Sequence, residues 1–188
     1  MESYGIIASV FSLASYLTYF RAMTGGRTQP NGVSWLIWSV VNGINAVIYF
    51  SLGARSTLYV PLVVTVGCFL TFLLSLKYGS RSWNFLDKAC LVGTAAVIVL
   101  WAVFSPIVGL LGGICVNFLA LPPTLLKIWK EPDTEDALTW TLKMVGYVIN
   151  VVAIDTWVFR IWIYPVYGIV ASTTVLLFLL VARFLRSH

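Results

Sequence analysis

Long apolar runs separated by short polar gaps fill almost the whole chain. The runs predict seven helices, over residues 4–23, 33–53, 59–78, 86–104, 106–128, 137–154 and 161–184, because a helix needs about 20 apolar residues to cross the hydrocarbon layer of a membrane. The gaps carry turn residues. Thr24-Gly25-Gly26-Arg27-Thr28-Gln29-Pro30-Asn31-Gly32 follows the first run, and Lys130-Glu131-Pro132-Asp133-Thr134-Glu135-Asp136 follows the fifth. Phe104-Ser105-Pro106 marks a tight break between the fourth and fifth runs.

Polar residues inside the runs fall on stripes. Trp35, Trp38, Asn42 and Asn45 lie at spacings that place them within an arc of roughly 80° on a helix. Trp140, Lys143, Tyr147 and Asn150 repeat that spacing in the sixth run, and Ser9, Ser12, Tyr16 and Tyr19 repeat it in the first. The fifth run carries Asn117 and Thr124, and the seventh Tyr164, Tyr167 and Thr174. The two halves correspond at an offset of 105 positions: Ser34-Trp35 with Thr139-Trp140, Asn45 with Asn150, Tyr59 with Tyr164. An internal repeat of this kind predicts an all-α integral membrane protein, with a three-helix unit at 1–80, a linker helix at 81–105 and a second three-helix unit at 106–188. The added helix restores orientation, so the two units are expected to run parallel.

Composition narrows the class. Of the 188 residues, 60% are hydrophobic and 10% charged, and mean hydropathy is +0.91. A water-soluble domain needs far more polar surface, so the lipid bilayer is the expected surround. The net charge of +5 is topological. Arg21, Arg27, Lys77, Arg81, Lys88, Lys127, Lys130, Arg183 and Arg186 share one side of the seven-span plan and only Arg55 and Arg160 the other. The positive-inside rule then puts the N-terminus outside and the C-terminus in the cytoplasm, with lipid headgroups and not nucleic acid as the basic residues' partners. Trp83 and Lys88 suit an interfacial anchor. The first run lacks a basic lead and a cleavage site, and reads as a retained helix. A prokaryotic inner membrane is the preferred location, and homo-oligomerisation is left open.

Trp35, Trp38, Asn42, Asn45, Asn117, Trp140, Lys143, Tyr147 and Asn150 are the candidate substrate-binding residues. Aromatic faces stack on rings and amides both donate and accept, so a small polar solute fits them. The competing reading is interhelical adhesion, at about 0.6 kcal/mol per bond. Lys143, the one charge well inside a run, either binds an anionic group, gates the mouth or snorkels to the interface. Pro122-Pro123 interrupts the fifth run and is the hinge candidate. Pro61 and Pro165 read as residues of helix starts. Glu131, Asp133, Glu135 and Asp136 read as a solvated helix start, with Thr134 and Asp136 as capping residues, and Asp155 as solvated. Cys68, Cys90 and Cys115 read as packing residues.

The stretch Leu121-Pro122-Pro123-Thr124-Leu125-Leu126-Lys127-Ile128-Trp129-Lys130, followed by Thr139-Trp140, resembles the PQ-loop and SWEET sugar-transporter superfamily. There a Pro-Gln pair ends the first helix of each repeat; here Pro123 stands in place of the glutamine, and Leu17-Thr18 in place of the pair in the first half. The resemblance implies parallel triplets that rock around a central path and assigns Pro122 and Pro123 the hinge. Trp35-Leu36-Ile37-Trp38 is similar to the W-x-x-W motif of nicotinamide riboside transporters, which implies aromatic stacking on a flat ring. The expected function is therefore alternating-access transport of a sugar-like solute by facilitated diffusion. A vitamin or nucleoside transporter and a non-transporting membrane receptor are the alternatives. No P-loop, paired carboxylates, histidine cluster or activated nucleophile is present, so neither an enzyme nor a cofactor or metal is expected. A retinal protein is discounted, since the seventh run has no lysine.

Overall fold

A computed structural model describes residues 1–79 and 85–187. The described residues are helical almost throughout and contain no β-strand. The helices are α1 (Glu2–Thr24), α2 (Gly32–Ser51), α3 (Arg55–Tyr78), α4 (Phe85–Val103), α5 (Pro106–Leu119), α6 (Leu121–Lys130), α7 (Ala137–Val152) and α8 (Phe159–Ser187). Among the described residues, five helical stretches are long and apolar enough to cross a membrane: Glu2–Thr24, Gly32–Ser51, Arg55–Tyr78, Ile107–Lys130 and Phe159–Arg186. Two apolar stretches are shorter, Lys88–Val103 and Ala137–Val152. The link holding Arg81 and Trp83 lies outside the described residues.

Local chemistry sets the helix ends. Asn31 caps α2, its side-chain oxygen accepting from the Val33 and Ser34 amides at 3.0 and 3.4 Å. Asp136 caps α7, accepting from the Thr139 amide at 2.8 Å and the Thr139 hydroxyl at 2.6 Å. Thr134 takes no part in that cap; its hydroxyl donates to the Glu131 carbonyl at 2.7 Å. Gly26 and Gly53 turn the chain after α1 and α2 at φ 69°, a left-handed conformation that glycine adopts without a Cβ penalty. Ser105 caps α5, and the chain breaks there as its Ser-Pro pair requires.

The fifth apolar run is not one smooth helix. It divides at Ala120, immediately before Leu121-Pro122-Pro123. Pro61 and Pro165 lie inside α3 and α8. Both helices begin earlier than the apolar runs suggest, because Arg55 and the Phe159-Arg160 pair join their first turns.

α3 packs on both α1 and α2, and α8 packs on both α7 and the α5–α6 pair. Between these groups, α1 meets α7 and α2 meets α5, while α4 lies against α5 and α2. Small residues permit the close approaches. A Cβ at Gly5 would stand 1.8 Å from the Ser56 carbonyl oxygen, and one at Gly146 would stand 3.2 Å from the Ala8 carbonyl oxygen and 2.9 Å from the Ser12 hydroxyl. Large apolar side chains such as Leu13, Leu17, Phe69, Leu73, Leu177 and Leu180 face outward, a surface suited to hydrocarbon and not to water.

Gly5→Ala should separate α1 from α3 at a cost of about 1–3 kcal/mol, as overpacking does, whereas Gly93→Ala should be silent, since a Cβ there meets its nearest neighbour at 3.7 Å. Thermal unfolding in detergent checks this: a lowered Tm for the first variant and none for the second is expected.

Candidate functional site

The inner ends of the polar stripes meet around one ammonium group. Lys143, only 8% exposed, places its Nζ 4.2 Å from the Trp35 ring centroid, 4.6 Å from that of Tyr16 and 4.9 Å from that of Trp140. Each ring attracts the charge through its quadrupole. The rings brace one another: Trp35 meets Trp38 edge-on at 5.1 Å, and Trp38 meets Trp140 edge-on at 6.2 Å. Among the described residues no carboxylate pairs with Lys143. The side chain therefore turns inward to the aromatic cage instead of snorkelling to an interface.

Beside the cage is a cavity of about 50 Å³. Trp38, Asn42, Asn117, Trp140, Lys143 and Tyr147 line it, together with Tyr16, Val64, Cys68 and the α8 residues Tyr167, Gly168 and Ser172. The Tyr16 hydroxyl lies 3.1 Å from Cys68 Sγ and 3.3 Å from the Val64 carbonyl oxygen. A chain of polar contacts leaves the cavity on its far side: Tyr147 and Tyr164 hydroxyls lie 3.3 Å apart, Tyr164 donates to Asn42 Oδ1, and Asn42 Nδ2 donates to the Trp38 carbonyl at 2.6 Å.

Trp35, Asn45 and Asn150 are buried but do not line this cavity. Trp35 forms its wall through the cage. Asn45 lies in the α2–α5 seam, its Oδ1 3.9 Å from where a Gly113 Cβ would stand. Asn150 lies one turn beyond Gly146, on the face of α7 that meets α1. Among the described residues neither side-chain amide has a hydrogen-bond partner, and the Asn117 Oδ1 also has none.

The helix break borders the site and is satisfied by neighbours. Pro122 and Pro123 cannot donate to the Phe118 and Leu119 carbonyls. Cys90 Sγ donates to Leu119 O at 3.3 Å, Ser34 Oγ to Ala120 O at 3.3 Å and Trp38 Nε1 to Asn117 O at 3.4 Å. In α8 the Ile161 carbonyl, deprived of its donor by Pro165, accepts from the Tyr49 hydroxyl.

Beyond Trp140, a clasp joins the two loops that precede the Ser/Thr-Trp pairs. Lys127 Nζ donates to Gln29 O at 2.6 Å, to Thr134 O at 3.1 Å and to Glu135 Oε2 at 2.6 Å. Thr28 Oγ1 donates to Thr134 O at 2.5 Å. Glu135 Oε1 accepts from Trp140 Nε1 at 3.2 Å, and the Tyr19 hydroxyl sits beside the same carboxylate. Glu135 is thus 2% exposed, which corrects the expectation of a solvated acidic turn. Glu131, Asp133 and Asp155 are exposed as expected. The clasp and the involvement of Cys68 were not foreseen. Neither residue carries a local signal, since Glu135 stands among three other acids and Cys68 in an apolar run. At the other end, a separate cleft of about 270 Å³ opens between the α2–α3 and α7–α8 turns, with Thr57, Asp155 and Arg160 on its walls.

The chain matches no protein-family model, no curated protein and no solved structure.

Because the Asn45 and Asn150 amides are buried without protein partners, the near-isosteric changes Asn45→Leu and Asn150→Leu should raise Tm, by removing a desolvation cost of about 1–3 kcal/mol per polar group. Differential scanning fluorimetry reads this directly. A fall in Tm would mean that the amides bond across the seams.

Proposed function

We propose that this chain is an integral membrane transporter that moves a small polar solute by alternating access, with seven spans arranged as two parallel triplets and a linker helix. The observation that carries this reading is the origin of the cavity walls. Trp38 and Asn42 from α2 face Lys143 and Tyr147 from α7, and these are the same positions at the 105-residue offset. Tyr16 and Leu121 form a third such pair. Counted from Pro61 and Pro165, at an offset of 104, Val64 pairs with Gly168 and Cys68 with Ser172.

Other features support the same symmetry. The caps Asn31 and Asp136 correspond. So do the seams: Val41 against Gly113 joins α2 to α5, and Gly146 against Ala8 joins α7 to α1. The order of packing corresponds too, with the third helix of each triplet lying on the first and second. A central void walled by corresponding positions of two similar units is the arrangement on which rocking exposes a site to alternate sides.

The clasp and the helix break are the moving parts in this reading. The clasp seals the end where Lys127, Lys130, Arg183 and Arg186 gather, which is the cytoplasmic end by the positive-inside rule. The break at Ala120 supplies the hinge that Pro122 and Pro123 create. The cycle uses no covalent step, and the residues around the cavity need only bind, release and exclude water. The solute enters and leaves as the triplets part.

Two measurements test the reading. Purified protein in liposomes should take up a radiolabelled solute with saturation; binding without flux would instead make it a receptor on the same scaffold. Cys68, on the cavity wall, is a native reporter of opening. With Cys90 and Cys115 replaced by serine, Glu135→Gln should speed labelling of Cys68 by a membrane-impermeant maleimide applied from the basic side at least several-fold. Unchanged labelling would show that the clasp is not a gate.

A further inference from the structure

Resting on the transport reading, we infer that the solute carries a carboxylate, which seats on Lys143, and a hydroxyl or amine donor, which Asn117 accepts. The site offers an ammonium group that is more than nine-tenths buried and lies on the cavity wall. Its three N–H bonds reach no protein acceptor among the described residues, and its surroundings are the faces of Tyr16, Trp35 and Trp140. Aromatic faces attract a cation but take no strong hydrogen bond and bring no negative charge, so the ammonium keeps unused capacity for an anion. The nearest acid, Glu135, is occupied by Lys127 and Trp140.

The second observation is independent of the first. Asn117 is 2% exposed, lines the same cavity, and its side-chain oxygen has no partner among the described residues. A lone buried acceptor calls for a donor on the solute. The cavity leaves room beside the ammonium group for a carboxylate head group. A small monocarboxylate with a hydroxyl on the neighbouring carbon meets both requirements. The ring faces of Trp38 and Trp140 would then cover its apolar carbons.

The probes are L-lactate, its neutral isostere lactamide, and propionate, which lacks the hydroxyl, with D-glucose as a neutral sugar. With wild-type protein in nanodiscs, tryptophan fluorescence and Tm should respond saturably to lactate, at least tenfold more weakly to propionate, and not to lactamide. Lys143→Gln should abolish the lactate response while the protein still elutes as a single folded species, and Asn117→Leu should remove the preference for lactate over propionate. Equal responses to lactate and lactamide in the wild type would overturn the inference, whatever the variants do. Glucose uptake that survives Lys143→Gln, with no carboxylate response, would overturn it while leaving the transport reading intact. Saturable, Lys143-dependent lactate binding without flux in liposomes would uphold the carboxylate site and overturn the transport reading.

Discussion

A proline within a helix strips one carbonyl of its donor, and in apolar surroundings that carbonyl must find another. This constraint organises the centre of the molecule. The pair Pro122-Pro123 parts α5 from α6, and the exposed main chain at 117–120 becomes the place where α2 and α4 attach, through Ser34, Trp38 and Cys90. Pro165 does the same for α8, which draws in Tyr49 from α2. The breaks therefore fix α2 by specific bonds on two sides, and α2 is the most enclosed of the described stretches long and apolar enough to cross a membrane. Ordinary knobs-and-holes packing between uniform apolar helices would leave its rotation far less determined.

With α2 fixed, the buried charge on α7 becomes tolerable. Lys143 is stabilised by rings from three helices, α1, α2 and α7; Tyr16 meets Trp35 at 71°, and Trp38 stands edge-on to both Trp35 and Trp140. The cage is thus a tertiary device. It exists only when α1, α2 and α7 are all in place.

Much of this was legible in the sequence, and the limits have physical causes. Trp38, Asn42, Trp140, Lys143 and Tyr147 share the cavity because a 3.6-residue period forces such spacings onto one face, and an apolar surround turns polar faces inward. Asn45 and Asn150 obey the same rule, yet inward includes both seams and void, and periodicity does not separate these. Helix starts at Arg55 and Phe159 escaped because polar end residues extend a helix beyond the apolar run that reveals it. Glu135 escaped for a different reason. Its burial depends on Lys127 and Trp140 converging from separate helices, and nothing in the acidic stretch 131–136 distinguishes the one carboxylate that they meet.

The Lys127 clasp has an asymmetry in what it recognises. Of its three acceptors, two are main-chain oxygens, at Gln29 and Thr134, and Thr28 also reaches the Thr134 oxygen. Main-chain oxygens are indifferent to the side chains they carry. The loops at 24–31 and 131–136 can thus exchange many of their side chains and keep the clasp, but gaining or losing a single residue would carry both oxygens out of reach. Loop length, more than loop chemistry, is what this part of the molecule encodes.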